Sequence, residues 1–241
     1  MKVSVVVIAH NEEQHIGHCL QSLLSQSRSA DEIIVINHNS TDKTGAIART
    51  YGVRVVEYQG SAGSAYARIR GFEVATGDII LCIDGDAYAE PSWISTLTSL
   101  FEKNDALIIV GSWVRMTGLF LAHIASARWY FFTKAKGEKG TDYLYGASYG
   151  IRGAGKGIAI KALTESIRLS AELGLAYNPD DYWLALFMLM HGEIEITNKT
   201  WVIAQAKETT NWQFIRRSII AQGIRNKMQG FLKHHPLETV I

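Results

Sequence analysis

The chain has 241 residues, 47% of them hydrophobic and 20% charged, with a formal net charge of +1. That length fits one large α/β domain, or one domain with a short appendage, and the hydrophobic share is ample for a sizeable core. The near-neutral balance lacks the strongly basic footprint of a nucleic-acid-binding domain, so no nucleic-acid partner is expected.

Residues 3–9 open the chain as an apolar run that passes straight into His10-Asn11-Glu12-Glu13. A secretory signal would go on to a small-residue cleavage site, so the run reads as a buried strand. Short β-branched runs at 32–36, 53–58 and 79–83 repeat the pattern and suit strands covered on both faces. Helical periodicity fills the gaps, over about 13–26, 43–51 and 62–75. In the first helix Ile16, Cys19, Leu20, Leu23 and Leu24 fall on one face, and Ser40, Thr41 and Asp42 supply capping side chains before the second. Both cysteines, Cys19 and Cys82, lie in such apolar segments and read as small buried hydrophobes in a reducing compartment.

The second half is less regular. Residues 106–111 look like a strand and 119–132 like a helix rich in aromatic residues. The nearest approach to a membrane span, 118–132, is interrupted by His123 and Arg128 and falls short of the ~18 apolar residues required. Its Trp129-Tyr130-Phe131-Phe132 cluster reads as core or an interface anchor. A glycine-rich stretch, 138–157, predicts a loop or short-strand region over the site. Within it Gly150-Ile151-Arg152-Gly153-Ala154-Gly155-Lys156 has the spacing of a phosphate-binding loop, but Gly157 stands where a magnesium-binding hydroxyl belongs. It is read as an acceptor-side loop whose Arg152 or Lys156 touches phosphate. Helices follow at 158–173 and 181–191, then a returning strand at 193–197.

From about residue 211, Trp212, Phe214, Ile215, Ile219, Ile220, Ile224, Met228 and Phe231 alternate at helical spacing with Arg216, Arg217, Arg225, Lys227 and Lys233. Two readings stand side by side. One is an interfacial helix over 211–233 on an anionic membrane; the other is a helix packed on the main domain or on a dimer partner.

Strand–helix–strand alternation predicts an α/β fold with a mostly parallel sheet, helices on both faces and right-handed crossovers. Ligands then bind beyond the carboxyl ends of the strands, at 10–12, 37–39 and 84–86. Asp84-Gly85-Asp86 follows its strand directly, and glycine lets the backbone turn between two carboxylates that project into one crevice. Burying those charges without a cation is costly, and a hard divalent ion that also takes diphosphate oxygens would satisfy them.

Four segments, in order and spacing, resemble the family-2 glycosyltransferases of the GT-A, Rossmann-like fold. They are residues 3–13; Glu32-Ile33-Ile34-Val35-Ile36-Asn37-His38-Asn39-Ser40-Thr41-Asp42; Ala67-Arg68-Ile69-Arg70-Gly71 leading through Ala75-Thr76-Gly77-Asp78 to Asp84-Gly85-Asp86; and Asp180-Asp181-Tyr182-Trp183-Leu184. The resemblance implies a catalytic domain over 1–205 and a helical appendage over 206–241. It implies transfer of a sugar from a nucleoside-diphosphate sugar to a glycan, lipid-linked or protein-linked hydroxyl, non-processive and inverting, with Mn²⁺ or Mg²⁺. Ala9, His10, Asn11, Glu12, Asn37 and His38 would line the donor pocket, and Arg68 would reach the base or diphosphate. Asp84 would face the ribose and Asp86 the metal. Asp180-Asp181 resembles the family's acidic pair, with Asp181 as general base. One departure is visible: Asn37-His38-Asn39 stands where members carry an aspartate. The alternative is a catalytically silent nucleotide- or glycan-binding module of the same fold. The implied setting is the cytoplasm, with a peripheral seat on the inner face of the membrane through 211–233; oligomers remain open.

Overall fold

A computed structural model describes residues 1–117, 147–175, 178–205 and 227. Among them eight strands form one sheet: β1 (Val3–Ala9), β2 (Glu32–His38), β3 (Arg54–Tyr58), β4 (Ile79–Asp84), β5 (Ala87–Ala89), β6 (Leu107–Thr117), β7 (Ser148–Arg152) and β8 (Glu193–Gln205). Their order is β3-β2-β1-β4-β7-β6-β8-β5. The helices are α1 (Ile16–Leu24), α2 (Thr44–Thr50), α3 (Ser64–Val74), α4 (Trp93–Lys103), α5 (Lys156–Glu172) and α6 (Asp180–Met188).

The sheet is mixed. β3, β2, β1 and β4 are parallel, as are β6 and β8, while β7 runs antiparallel to both β4 and β6, and β5 antiparallel to β8. The expected loop or short-strand region over 138–157 holds, among its described residues, a short central strand, β7. Two further elements, β5 and α4, fall where the sequence pattern raised no expectation.

Period-two alternation divides the core between two faces. Val3, Val5 and Val7 of β1 and Ile79, Leu81 and Ile83 of β4 pack with Ile16, Cys19, Leu20 and Leu23 of α1 and with Trp93, Leu97 and Phe101 of α4. On the opposite face Val6, Ile34, Ile36, Ile80 and Cys82 meet Phe72 of α3, Leu163 of α5 and Trp183 of α6. Each such aliphatic or aromatic side chain contributes about 1.5–3 kcal/mol relative to exposure. Both cysteines are free and buried. Leu24 corrects the expected α1 stripe: it is 53% exposed, the last residue of the helix, while its neighbour Leu23 turns into the core. β3 also departs from the fully covered pattern, being an edge strand with Arg54 and Glu57 exposed. A Cβ on Gly71 would lie 2.3 Å from Val6 Cγ1, so glycine there lets α3 rest directly on β1.

The amino-terminal ends of the strands are tied by Glu32, whose Oε1 accepts bonds from Ser4 Oγ (2.5 Å), Thr76 N (2.8 Å) and Thr76 Oγ1 (2.7 Å). Arg152 and Lys156 lie at this same end, since Arg152 pairs in register with Ile79. The Arg152 guanidinium donates to the carbonyls of Leu107, Phe101 and Asn104, and Lys156 Nζ donates to the Ala75 carbonyl. This overturns the reading of an acceptor-side phosphate loop: both cations brace backbone at the edge opposite Asp84. No helix of the described residues is long and apolar enough to cross a membrane. The aromatic cluster at 129–132 lies outside the described residues. So does the basic segment 211–233, apart from Lys227.

Candidate active site

Parallel register brings the carboxyl ends of β1, β2 and β4 level, with Ala9 opposite Asn37 and Ile8 opposite Asp84. Beyond them opens a cleft of about 220 Å³ lined by Ile8, Ala9, His10, Glu12, His38, Asn39, Asp84 and Gly85, and across from these by Ala62, Gly63, Ser64 and Ala67. This is where a strand-end ligand site belongs in an open α/β sheet.

The strand alternation decides which residues face it. Ile34, Ile36 and His38 share the α3 side of β2, so His38 turns to the cleft while Asn37 turns to α2. Asn37 Nδ2 donates to Glu57 Oε2 at 2.7 Å, and Glu57 is also ion-paired to Arg49. The expected donor role of Asn37 is therefore corrected: its side chain braces β2 against β3. Asn11, in the left-handed region at φ 54°, likewise spends its side chain locally, accepting the Thr41 amide at 2.8 Å. Next to it, Glu13 N donates to Asp42 Oδ2 and Lys43 N to Glu13 Oε2, which locks the β1–α1 turn to the β2–α2 turn. Asp42 also accepts the Thr44 amide at 2.9 Å within its own turn, while α2 starts from Lys43 without the side-chain cap expected there.

Arg68 sits one turn into α3, 3% exposed, between two carboxylates. Its Nη2 donates to Asp84 Oδ1 at 3.1 Å and its Nη1 pairs with Asp180 Oδ2. Burial alone would lower its pKa, but Asp180 and then Asp84 hold it well above the ordinary arginine value. The structure therefore shows Arg68 bridging two acids, where the sequence reading had it reaching for base or diphosphate. Asp180 is buried with it, whereas Asp181, the next residue, is half-buried and accepts the Tyr182 amide at 2.8 Å. Beneath the trio lie Tyr149 and Cys82, both completely buried. Burial raises both groups, the Cys82 thiol to about 12, and marks the wall as uncharged.

On the other side of the strand ends, Asp86 and Glu12 are 7% and 6% exposed. A Cβ on Gly85 would stand 3.1 Å from Ala9 Cβ and 3.2 Å from the Ile8 carbonyl, so glycine lets this turn lie close against β1 with a carboxylate on either side. Cys19 Sγ donates to the Asp84 carbonyl at 3.7 Å from below. Its thiol is raised by burial first and then by the negative charge of Asp86, Asp84 and Glu12. Among the described residues no group of three or more side chains is arranged to hold a metal unaided. Two carboxylates at one turn still fit a hard cation that takes its remaining oxygens from phosphate and water.

The structure thus gathers Ala9, His10, Glu12, His38, Asp84 and Gly85 on one cleft and ties Arg68 and Asp180 to its edge. Sequence reasoning missed the opposite wall, Ala62, Gly63, Ser64 and Ala67. Its signal was Gln59-Gly60-Ser61-Ala62-Gly63-Ser64, a run of small residues before a helix that allows close backbone approach.

A family model described as "Glycosyl transferase family 2" matches residues 4–154. Over 109 residues the chain is 37% identical to the uncharacterized glycosyltransferase YibD of Escherichia coli, covering 43% of this chain and 31% of that protein. It therefore spans about a third of that relative's length. Staphylococcus aureus TarS, residues 1–349, shares the fold with a TM-score of 0.61 at 16% identity, over 85% of this chain and 60% of that one. Glucosyl-3-phosphoglycerate synthase from Mycobacterium tuberculosis, crystallised with Mn²⁺, UDP and phosphoglyceric acid, has a TM-score of 0.56 at 21% identity, over 94% and 78%. At 16% and 21% identity these likenesses show a shared fold, the GT-A fold.

Proposed function

The chain belongs to glycosyl transferase family 2, and from that premise we propose that it moves a sugar from a nucleoside-diphosphate sugar to an acceptor hydroxyl with inversion. The observation that carries the reading is the Arg68 bridge. One buried guanidinium spans Asp84, at the end of a central strand, and Asp180, at the head of α6. It joins Asp84, which lines the cleft, to the helix that bears Asp181.

The labour divides by exposure. Asp180 is buried and ion-paired, so its work is to hold α6. Asp181 is the accessible member of the pair and takes the acceptor proton as the acceptor oxygen attacks the anomeric carbon; a single displacement of this kind inverts configuration. Ala9, His10, Glu12 and His38 line the nucleoside part of the cleft, and Asp84 faces the ribose. A divalent cation, Mn²⁺ or Mg²⁺, would be held at Asp86 with Asp84 and would supply positive charge for the departing diphosphate. The Mn²⁺ and UDP in the mycobacterial fold neighbour support that choice. The acceptor is a glycan, lipid-linked or protein-linked hydroxyl, and the membrane seat through 211–233 belongs to the same proposal.

A thermal-shift panel of UDP, GDP, dTDP and CMP, each with and without Mn²⁺, tests the donor reading. Ligand at a hundred times its Kd stabilises by about 2.7 kcal/mol, so the right nucleotide raises the melting temperature measurably. No response to any nucleotide–metal pair would sink it.

A further inference from the structure

On the side away from the strand ends the cleft is lined by Ala62, Gly63, Ser64 and the buried Ala67, and the segment that leads into this wall, Gly60 to Ser64, is exposed throughout. Such a segment buries no apolar side chain of its own and has little reason to keep one conformation. It ends at Gly63, whose φ of 131° only glycine adopts readily, and turns there into α3. The bonds that hold it come from the last residues of the neighbouring strand. Asn39 Nδ2 donates to the Gly60 carbonyl at 2.9 Å, and Gly60 N donates back to Asn39 Oδ1 at 3.0 Å. The side-chain amide thus pairs with a backbone amide as a second strand would. His38 Nε2 donates to the Ser61 carbonyl at 2.9 Å, one residue further on.

Asn39 can do this because its own backbone is in the left-handed region, at φ 51°, a conformation asparagine tolerates better than most residues. Its N–H donates to the Tyr58 carbonyl at 3.0 Å, which anchors the residue to the end of β3. An aspartate there would keep the acceptor but set a carboxylate against the Gly60 carbonyl. A glycine would keep the backbone and lose both side-chain bonds. Ala62, Gly63 and Ser64 line the same cleft as Ile8, His38 and Asp84, so the latched segment runs directly into the cleft wall.

We propose that Asn39 is a positioning residue for donor binding: its side-chain amide latches the 60–64 segment in the conformation that forms the far wall of the nucleoside cleft. This rests on the donor reading above and adds a residue to it. Without the latch the free segment samples open conformations, and apparent affinity falls by the fraction of time the wall is out of place.

The test compares wild type with Asn39→Gly and Asn39→Asp. Amide hydrogen exchange in the free protein is expected to quicken about tenfold over residues 60–64 in Asn39→Gly, the loss of about two hydrogen bonds of ordinary net worth, with β1 and β4 unchanged. Calorimetry with the nucleoside diphosphate that binds wild type is expected to show Kd raised about tenfold in Asn39→Gly, with Asn39→Asp weakened at least as much. Unchanged exchange over 60–64 would overturn the latch. Faster exchange with unchanged Kd would overturn the positioning role. If wild type binds none of the nucleotides, the donor reading fails and the positioning role with it, while the exchange result still decides whether Asn39 holds the segment.

Discussion

Replacing Arg68 by methionine keeps most of the side chain's length and removes its charge. Arg68 and the Asp180 side chain are 3% and 7% exposed, so the substitution strands a buried carboxylate, a loss of about 3–5 kcal/mol. The Asp84 arm ends on a side chain 32% exposed and adds at most about 1 kcal/mol. The expected total is therefore set by Asp180. Asp180→Asn removes the stranded charge, so the double variant Arg68→Met/Asp180→Asn should be more stable than Arg68→Met alone. Urea unfolding midpoints for wild type, both single variants and the double variant close the cycle, with Arg68→Lys as a milder member if Arg68→Met fails to fold. The reasoning is refuted if Arg68→Met loses less than about 1 kcal/mol, or if the two substitutions prove additive, which would mean that the pair carries no coupling.

Three other outcomes are expected. Asp181→Asn should reduce transfer by at least about 10²-fold while nucleotide Kd stays near wild type, since general-base removal leaves binding untouched; steady-state rates with calorimetry read both, and wild-type turnover would remove the base assignment. Gly71→Ala should destabilise by about 1–3 kcal/mol, because its Cβ would stand 2.3 Å from Val6 Cγ1 and must push α3 off β1; a neutral result in urea would show that the helix yields freely. For Glu32, burial would raise the pKa but the Ser4 and Thr76 bonds outweigh it and hold the group below its ordinary 4.5. Its stabilising contribution is then present above pH 4.5 and lost as pH falls through the lowered folded value. The stability gap between wild type and Glu32→Gln should be widest near neutrality and close in acid; a gap that persisted through acid would contradict this.

Local pattern carried most of the parallel half. The run of β-branched residues at 3–9 marks both ends of β1, and the helical stripe of Ile16, Cys19, Leu20 and Leu23 is buried as its spacing implies. α4 was readable in principle, with Trp93, Ile94, Leu97, Leu100 and Phe101 at helical spacing, but its isoleucine and threonines blunt the propensity signal. What had no local signal was direction and partnership. Nothing in Ser148-Tyr149-Gly150-Ile151-Arg152 announces a strand running antiparallel in mid-sheet. The Arg68–Asp180 pair joins residues 112 apart, a contact that exists only once α3 and α6 share a face. The choice between Asn37 and His38 lay between these cases. Ile34, Ile36 and His38 share one side of β2, and extending that count by one step would have turned Asn37 away from the cleft.

The place of β7 between β4 and β6 has a consequence for how the chain is made. During synthesis β1 to β4 emerge first and can zip together from neighbouring contacts. β4 then waits with an unpaired edge, Ile79–Ile83, until Ser148–Arg152 leaves the ribosome and fills it. β6 is open in the same interval, since both of its partners, β7 and β8, are translated after it. A nascent chain that pauses between residues 117 and 148 therefore presents three unpaired strand edges at once, one on β4 and two on β6, the template on which β-rich chains aggregate. Productive folding of this protein is a race between elongation through residue 152 and capture of those edges by another chain.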